Sequence, residues 1–146
     1  MSLVKIADMQ VDYVDHSEPE PLRLSYTAGF IEADGCFHVG NSISIRITNK
    51  SLRVLKLFNE WWGGSIRSKG TPKDCYDWNL HGKDACALIV KLLPFLKIKS
   101  KEAELLLDYQ GTVGVKGKGL SSDILLKRTL IKDAMKIARK ERNLSV

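Results

Sequence analysis

Two carboxylates, Glu32 and Asp34, stand at the end of a helical stretch in the run YTAGFIEADGCF, Tyr26 to Phe37, just before Gly35. The C-terminal end of a helix carries partial negative charge, so an acid there is disfavoured by about 0.3–1 kcal/mol. If two such helix ends met, their acids would repel strongly, and a bound Mg²⁺ would relieve both penalties. Along the same helix Ser25, Gly29 and Ala33 recur at every fourth position. They leave one face nearly bare, open to the approach of another backbone.

A second set of residues suits recognition of a polyanion. In CFHVGNSISIRIT, the residues Ile43, Ile45 and Ile47 alternate with Ser42, Ser44, Arg46 and Thr48. In SIRSK and CYDWNLH, the residues Tyr76, Trp78 and Leu80 oppose Asp77 and Asn79. The polar faces thus collect His38, Ser42, Ser44, Arg46 and Thr48, then Arg67, Lys69, Asp77 and Asn79. A merely solvated sheet face shows the same alternation but is usually richer in Glu and Lys. Here the residues are chiefly Ser, Thr, Asn, Arg, Lys and His, which hydrogen-bond base edges and phosphates.

The elements that must carry these residues can be read from punctuation and period. Pro19 and Pro21 mark a helix start, and the helix runs to about Ala33 and stops at Gly35. Strict alternation gives a hairpin turning at Gly40-Asn41. Helical spacing returns through Leu52, Leu55, Phe58 and Trp62, ending at Gly63-Gly64. A second hairpin turns at GTPKD, and DACALIVKLLPFL forms the next helix. Further helices are expected from about Lys101 to Tyr109 and from Ser122 to Arg142, separated by the loop GTVGVKGKG. The order is αββαββα with additional C-terminal helices, a mixed α/β (α+β) fold in which two αββ units repeat in architecture but not in sequence.

With 146 residues, one domain is expected at 21–146, preceded by an acidic extension at 1–20. The net charge of +6 hides an asymmetry. Residues 1–34 hold 2 basic and 7 acidic side chains, and the remainder 21 basic and 10 acidic. A body with a balance of +11 points to a polyanionic partner. The longest apolar run, ACALIVKLLPFL, is interrupted by Lys91 and Pro94, so no membrane partner is expected. The N-terminus lacks an apolar signal core, and its acidity argues against a transit peptide. The expected location is intracellular, in a DNA-containing compartment: a prokaryotic cytoplasm or an organelle. Cys36, Cys75 and Cys86 are odd in number without a CxxC pair, and Cys75, His81 and Cys86 have no familiar zinc spacing.

The nine residues Thr27-Ala28-Gly29-Phe30-Ile31-Glu32-Ala33-Asp34-Gly35 resemble the signature of the LAGLIDADG homing endonucleases, with Phe30 a common substitute for leucine and with Thr27 for leucine and Glu32 for aspartate as milder departures. LLPFLKIKSKEAELLL, Leu92 to Leu107, resembles the segment after the second hairpin in small homodimeric members. The resemblance covers roughly residues 21–140.

It implies the homing-endonuclease fold, with an antiparallel saddle-like sheet, and a homodimer, because the signature occurs once. The interface would be Ser25, Gly29, Phe30 and Ala33. Asp34, with Ala33, would bind Mg²⁺, and Mn²⁺ or Ca²⁺ suits the same donors. Lys99 matches a basic residue near the scissile phosphates, and Arg53 another member of that pocket. Asn49 stands where relatives often have a solvent-ordering glutamine, one methylene longer. Glu32 is expected to serve capping or interface contacts. The implied activity is hydrolysis of both strands of a long, near-palindromic duplex DNA, with no small-molecule substrate, in the service of intron mobility. Two rivals use the same fold: a maturase-like RNA splicing cofactor and a DNA-binding regulator that has lost cleavage.

Overall fold

Helix α1 (Glu20–Asp34) begins directly after Pro19 and carries Pro21 in its first turn, where a backbone N–H is not needed. The computed structural model describes residues 18–68, 74–113 and 121–144. Most of the acidic extension, Lys69 and the second hairpin's turn, and most of the glycine-rich loop lie outside the described residues.

The predicted order holds. Helix α1 passes without a loop into β1 (Gly35–Val39), which turns into β2 (Ile43–Asn49) through a Gly40 N–H donated to the Ser42 carbonyl at 2.9 Å. Helix α2 (Leu52–Trp62) is capped by the Ser51 hydroxyl, which accepts from the Val54 N–H. It ends at Gly63 and Gly64, whose φ values of +82° and +99° lie where glycine is favoured. Strands β3 (Ser65–Ser68) and β4 (Tyr76–His81) follow, then α3 (Gly82–Leu92), α4 (Ser100–Gln110) and α5 (Ser122–Leu144). The helix expected through LLPFL stops instead at Leu92 and tightens into one 3₁₀ turn, Leu93–Phe95. Pro94 explains the break, since its ring and missing N–H cannot continue an α-helix.

The sheet is antiparallel with order β1-β2-β4-β3, so the hairpins join through their second strands. One face lies under the helices: Phe37, Ile43, Ile45, Ile47, Trp78 and Leu80 are buried against Leu24, Ala28 and Ile31 of α1, Leu55 and Phe58 of α2, and Ile89 of α3. Each such isoleucine or phenylalanine contributes roughly 1.5–3 kcal/mol by leaving water. Two indole N–H groups close the α2 end of this core. Trp62 donates to the Thr27 hydroxyl, and Trp78 to the Gly63 carbonyl, both at 2.9 Å.

Gly35 follows the last residue of α1, as expected, without a left-handed turn. Its φ of −107° and ψ of 177° are extended. Glycine is needed for space: a Cβ there would lie 2.9 Å from the Ile31 Cα and 3.0 Å from the Arg46 carbonyl oxygen.

Candidate active site and nucleic-acid face

Because α1 runs straight into β1, Asp34 is held at the junction of two rigid elements, and its carboxylate is exposed. Asn49, the last residue of β2, donates from its side-chain amide to Asp34 Oδ2 at 3.2 Å. Asn49 Oδ1, the oxygen of the same side-chain amide, accepts from the Ser51 N–H at 2.7 Å, so the amide is fixed from both ends. Arg53 is exposed in the first turn of α2, four residues beyond Asn49. Three of the four expected catalytic positions therefore fall at one corner of the fold, where α1 ends and α2 begins.

Lys99 approaches from the other side of the α1 terminus. It is 6% exposed, and its ammonium donates to the carbonyls of Ile31 at 3.0 Å and Gly35 at 2.6 Å. No basic residue of α1 itself lies in its last turn, so this distant lysine supplies the positive charge that a helix C-terminus favours. Burial pushes the Lys99 ammonium below its ordinary range and the Arg142 charge adds to that, while Glu102 and Glu32 oppose it.

Glu32 faces the same segment. Its Oε2 accepts the backbone N–H groups of Lys97 at 2.8 Å, Ile98, and Lys99 at 2.9 Å, just ahead of α4. Only the Lys99 N–H belongs to the N-cap of α4 and the other two precede it, so Glu32 braces the segment that leads into α4, and no local pattern in the sequence signals this.

The outer face of the sheet carries three cross-strand rows: His38, Ser44 and His81; Cys36, Arg46, Asn79 and Ser65; and Thr48, Asp77 and Arg67. His38, Arg46 and Arg67 are exposed, and Thr48 and Asp77 half-buried. Ser44 and Asn79 are only 4% and 2% exposed, so they lie beneath the longer side chains. Asn79 accepts from Arg46 Nε at 3.0 Å, and the Thr48 hydroxyl donates to Asp77. Buried Asn79 thus aims an exposed guanidinium. Ser42 is half-buried in the turn beside this face, and Lys69 lies outside the described residues. Cys36, Ser65 and His81 share the face outside the expected set, although the parity of His38, Arg67 and Asp77 along β1, β3 and β4 points to them.

Helix α5 adds charge at the free edge of β1. Arg139 donates to the Phe37 carbonyl at 2.6 Å while pairing with buried Glu102. Burial holds the His38 imidazole below its ordinary range, and Arg46, Arg139 and Lys132 push it further down.

The bare stripe is open in the single chain. Ser25, Gly29 and Ala33 are exposed, and a Cβ added at Gly29 would meet nothing within 4 Å. Phe30 instead turns partly inward, its ring 5.2 Å from Phe58.

Oxygen donors at the end of α1 suit a hard divalent cation: the exposed Asp34 carboxylate and the backbone carbonyl of Ala33, one residue before it. Among the described residues, no three His, Cys, Asp or Glu side chains converge on one point. The donor set of one chain is therefore compatible with such an ion but small.

No family model matches the chain, and no curated protein matches its sequence. Solved structures do. An archaeal intron-encoded homing endonuclease, I-Vdi141I, complexed with DNA, is 20% identical with a TM-score of 0.72 over 82% of this chain and 86% of its own. The homing endonuclease I-CvuI, in complex with the I-CreI target and Mg, the DNA not cleaved, is 19% identical with a TM-score of 0.71 over 81% and 82%. I-TnaI, also a homing endonuclease, is 19% identical with a TM-score of 0.57 over 82% and 97%. The fold of this chain is that of the LAGLIDADG-type homing endonucleases.

Proposed function

We propose that the chain is a metal-dependent, site-specific DNA endonuclease that acts as a homodimer on a long, near-palindromic duplex. The observation that carries this reading is the exposed Asp34 carboxylate at the end of α1, ordered by Asn49 and standing beside an open stripe of small residues. Packing that stripe against its copy about a two-fold axis would place two Asp34 carboxylates side by side, one for each DNA strand. Asp34 and the Ala33 carbonyl would hold Mg²⁺, with Mn²⁺ and Ca²⁺ suiting the same donors. When bound, the ion supplies an activated water and stabilises the leaving oxygen.

The chain's own residues do the rest. Asn49 orients Asp34, Arg53 brings positive charge to the corner where phosphate would lie, and buried Lys99 braces the end of α1 from the other side. Exposed Arg46, backed by Asn79, is suited to a base edge in the major groove, and Arg67 and His38 to flanking positions. The DNA held by I-Vdi141I and I-CvuI supports duplex DNA as the partner.

A cleavage selection on a randomised duplex library with Mg²⁺ tests the proposal. It should enrich one long, near-palindromic sequence, cut on both strands and uncut when Mg²⁺ is chelated. A bound but uncut sequence would favour the regulator, and retention of RNA alone the splicing cofactor.

A further inference from the structure

We infer that Glu32 and Lys99 form a positioning lock for the end of α1 that carries Asp34; this rests on the nuclease reading of Asp34. Neither residue needs to touch substrate for this role. Glu32 Oε2 gathers three consecutive N–H groups at Lys97, Ile98 and Lys99. That fixes the backbone from which the Lys99 side chain projects. The Lys99 ammonium then returns to α1 and binds the carbonyls of Ile31 and Gly35, on either side of Glu32 and Asp34.

The arrangement is reciprocal. A carboxylate of α1 holds the segment leading into α4, including the N–H of its N-cap residue, and the lysine at that N-cap supplies positive charge to the negative C-terminal end of α1. Each bond is charge-assisted, and the lysine is buried. The two residues are 67 positions apart, yet each holds the backbone of the other's segment. Gly35 allows no slack on the sheet side, because even a methyl group there would strike the backbone of Ile31 and Arg46. Asp34 is therefore clamped between a crowded strand start and a lysine cap.

The lock makes a distinction that a free catalytic lysine would not. If Lys99 positions, what matters is the cap on Ile31 and Gly35 and the acceptor that holds residues 97–99. Glu32→Gln keeps a side-chain oxygen for those N–H groups but loses the charge, and should fall between the wild type and Glu32→Ala. Lys99→Met keeps the apolar stem and removes the cap.

The test is amide hydrogen exchange on the full-length wild type and these three variants, followed by single-turnover cleavage with DNA affinity measured separately. Glu32→Ala and Lys99→Met should each lose about tenfold or more of the protection at the Gly35 N–H, which is bonded to Ile31. Protection near Leu24 and Ala28 should hold. The cleavage rate should fall by about tenfold to a hundredfold while DNA affinity stays within about twofold, the pattern of misplacement, not of lost binding. Glu32→Gln should lie between the wild type and Glu32→Ala in both measurements. Unchanged Gly35 protection in Glu32→Ala and Lys99→Met would overturn the lock, as would wild-type cleavage in either. A wild type that cuts no DNA while the exchange pattern holds would sink the nuclease reading and leave the lock standing.

Discussion

Asn49 ends β2 with its amide nitrogen 3.2 Å from Asp34 Oδ2, so the last residue of one strand holds the last residue of the helix before it. The contact is exposed, and its contribution to stability is small, on the order of 0.5–1.5 kcal/mol. Its contribution to geometry is larger, because the other end of the same amide is tied to Ser51.

Replacing Asn49 with alanine should therefore leave folding nearly intact and disturb Asp34. Cleavage should fall by about tenfold or more, with DNA affinity unchanged. Unaltered single-turnover rates in Asn49→Ala would make the contact incidental.

Two glycines of one signature should respond oppositely. Gly35→Ala forces a Cβ to 2.9 Å from the Ile31 Cα, a backbone atom that cannot step aside, and should destabilise by about 1–3 kcal/mol in urea unfolding. Gly29→Ala meets nothing within the chain and should stabilise the isolated helix by about 0.5–1 kcal/mol. Gly29→Leu, however, should push two packed α1 helices apart and give monomer or aggregate in sedimentation. If the wild type sediments as a monomer at micromolar concentration with DNA bound, the paired-Asp34 arrangement is wrong.

Much of this was legible beforehand. Alternation at Ile43, Ile45 and Ile47 set both the hairpin and its buried face, and all three isoleucines are fully buried. Depth was not legible, since period separates faces but says nothing of the height of neighbouring side chains; Ser44 and Asn79 share the polar face yet are covered. Nor could spacing foresee the partners of Lys99, which are 64 and 68 residues away. Thr27, where the signature has leucine, is buried and is satisfied by Trp62 and by the Arg23 carbonyl, one helical turn back. Its hydroxyl replaces apolar packing with a hydrogen bond that only the tertiary structure reveals.

His38 gives a pH dependence with two signs. Its imidazole is held below the ordinary 6.5, so as pH falls through that value the unfolded chain takes the proton first and stability should decline. Beside a phosphate the protonated ring is favoured, so DNA affinity should rise over the same interval. His38→Gln should flatten both trends. Identical pH profiles for the variant and the wild type would exclude His38 from either effect.

If the basic body follows the DNA backbone, log affinity should drop linearly with log salt, with a slope near −0.9 per phosphate neutralised. Arg46→Ala should relax discrimination at particular base pairs, while Lys132→Ala should weaken all sequences alike. A slope near zero would reduce the +11 balance of residues 35–146 to solubilising charge.

The central claim is most directly tested by Asp34→Asn, which keeps shape and removes the charge that would hold the ion. On the selected duplex with Mg²⁺, double-strand cleavage by this variant should be undetectable. Duplex affinity should be retained or increased, since two negative charges no longer face phosphate. Folding stability should hold or gain about 0.3–1 kcal/mol per helix end, because the helix dipole no longer opposes a carboxylate. Cleavage by Asp34→Asn at the wild-type rate would contradict the account and leave Asp34 as no more than the end of a helix.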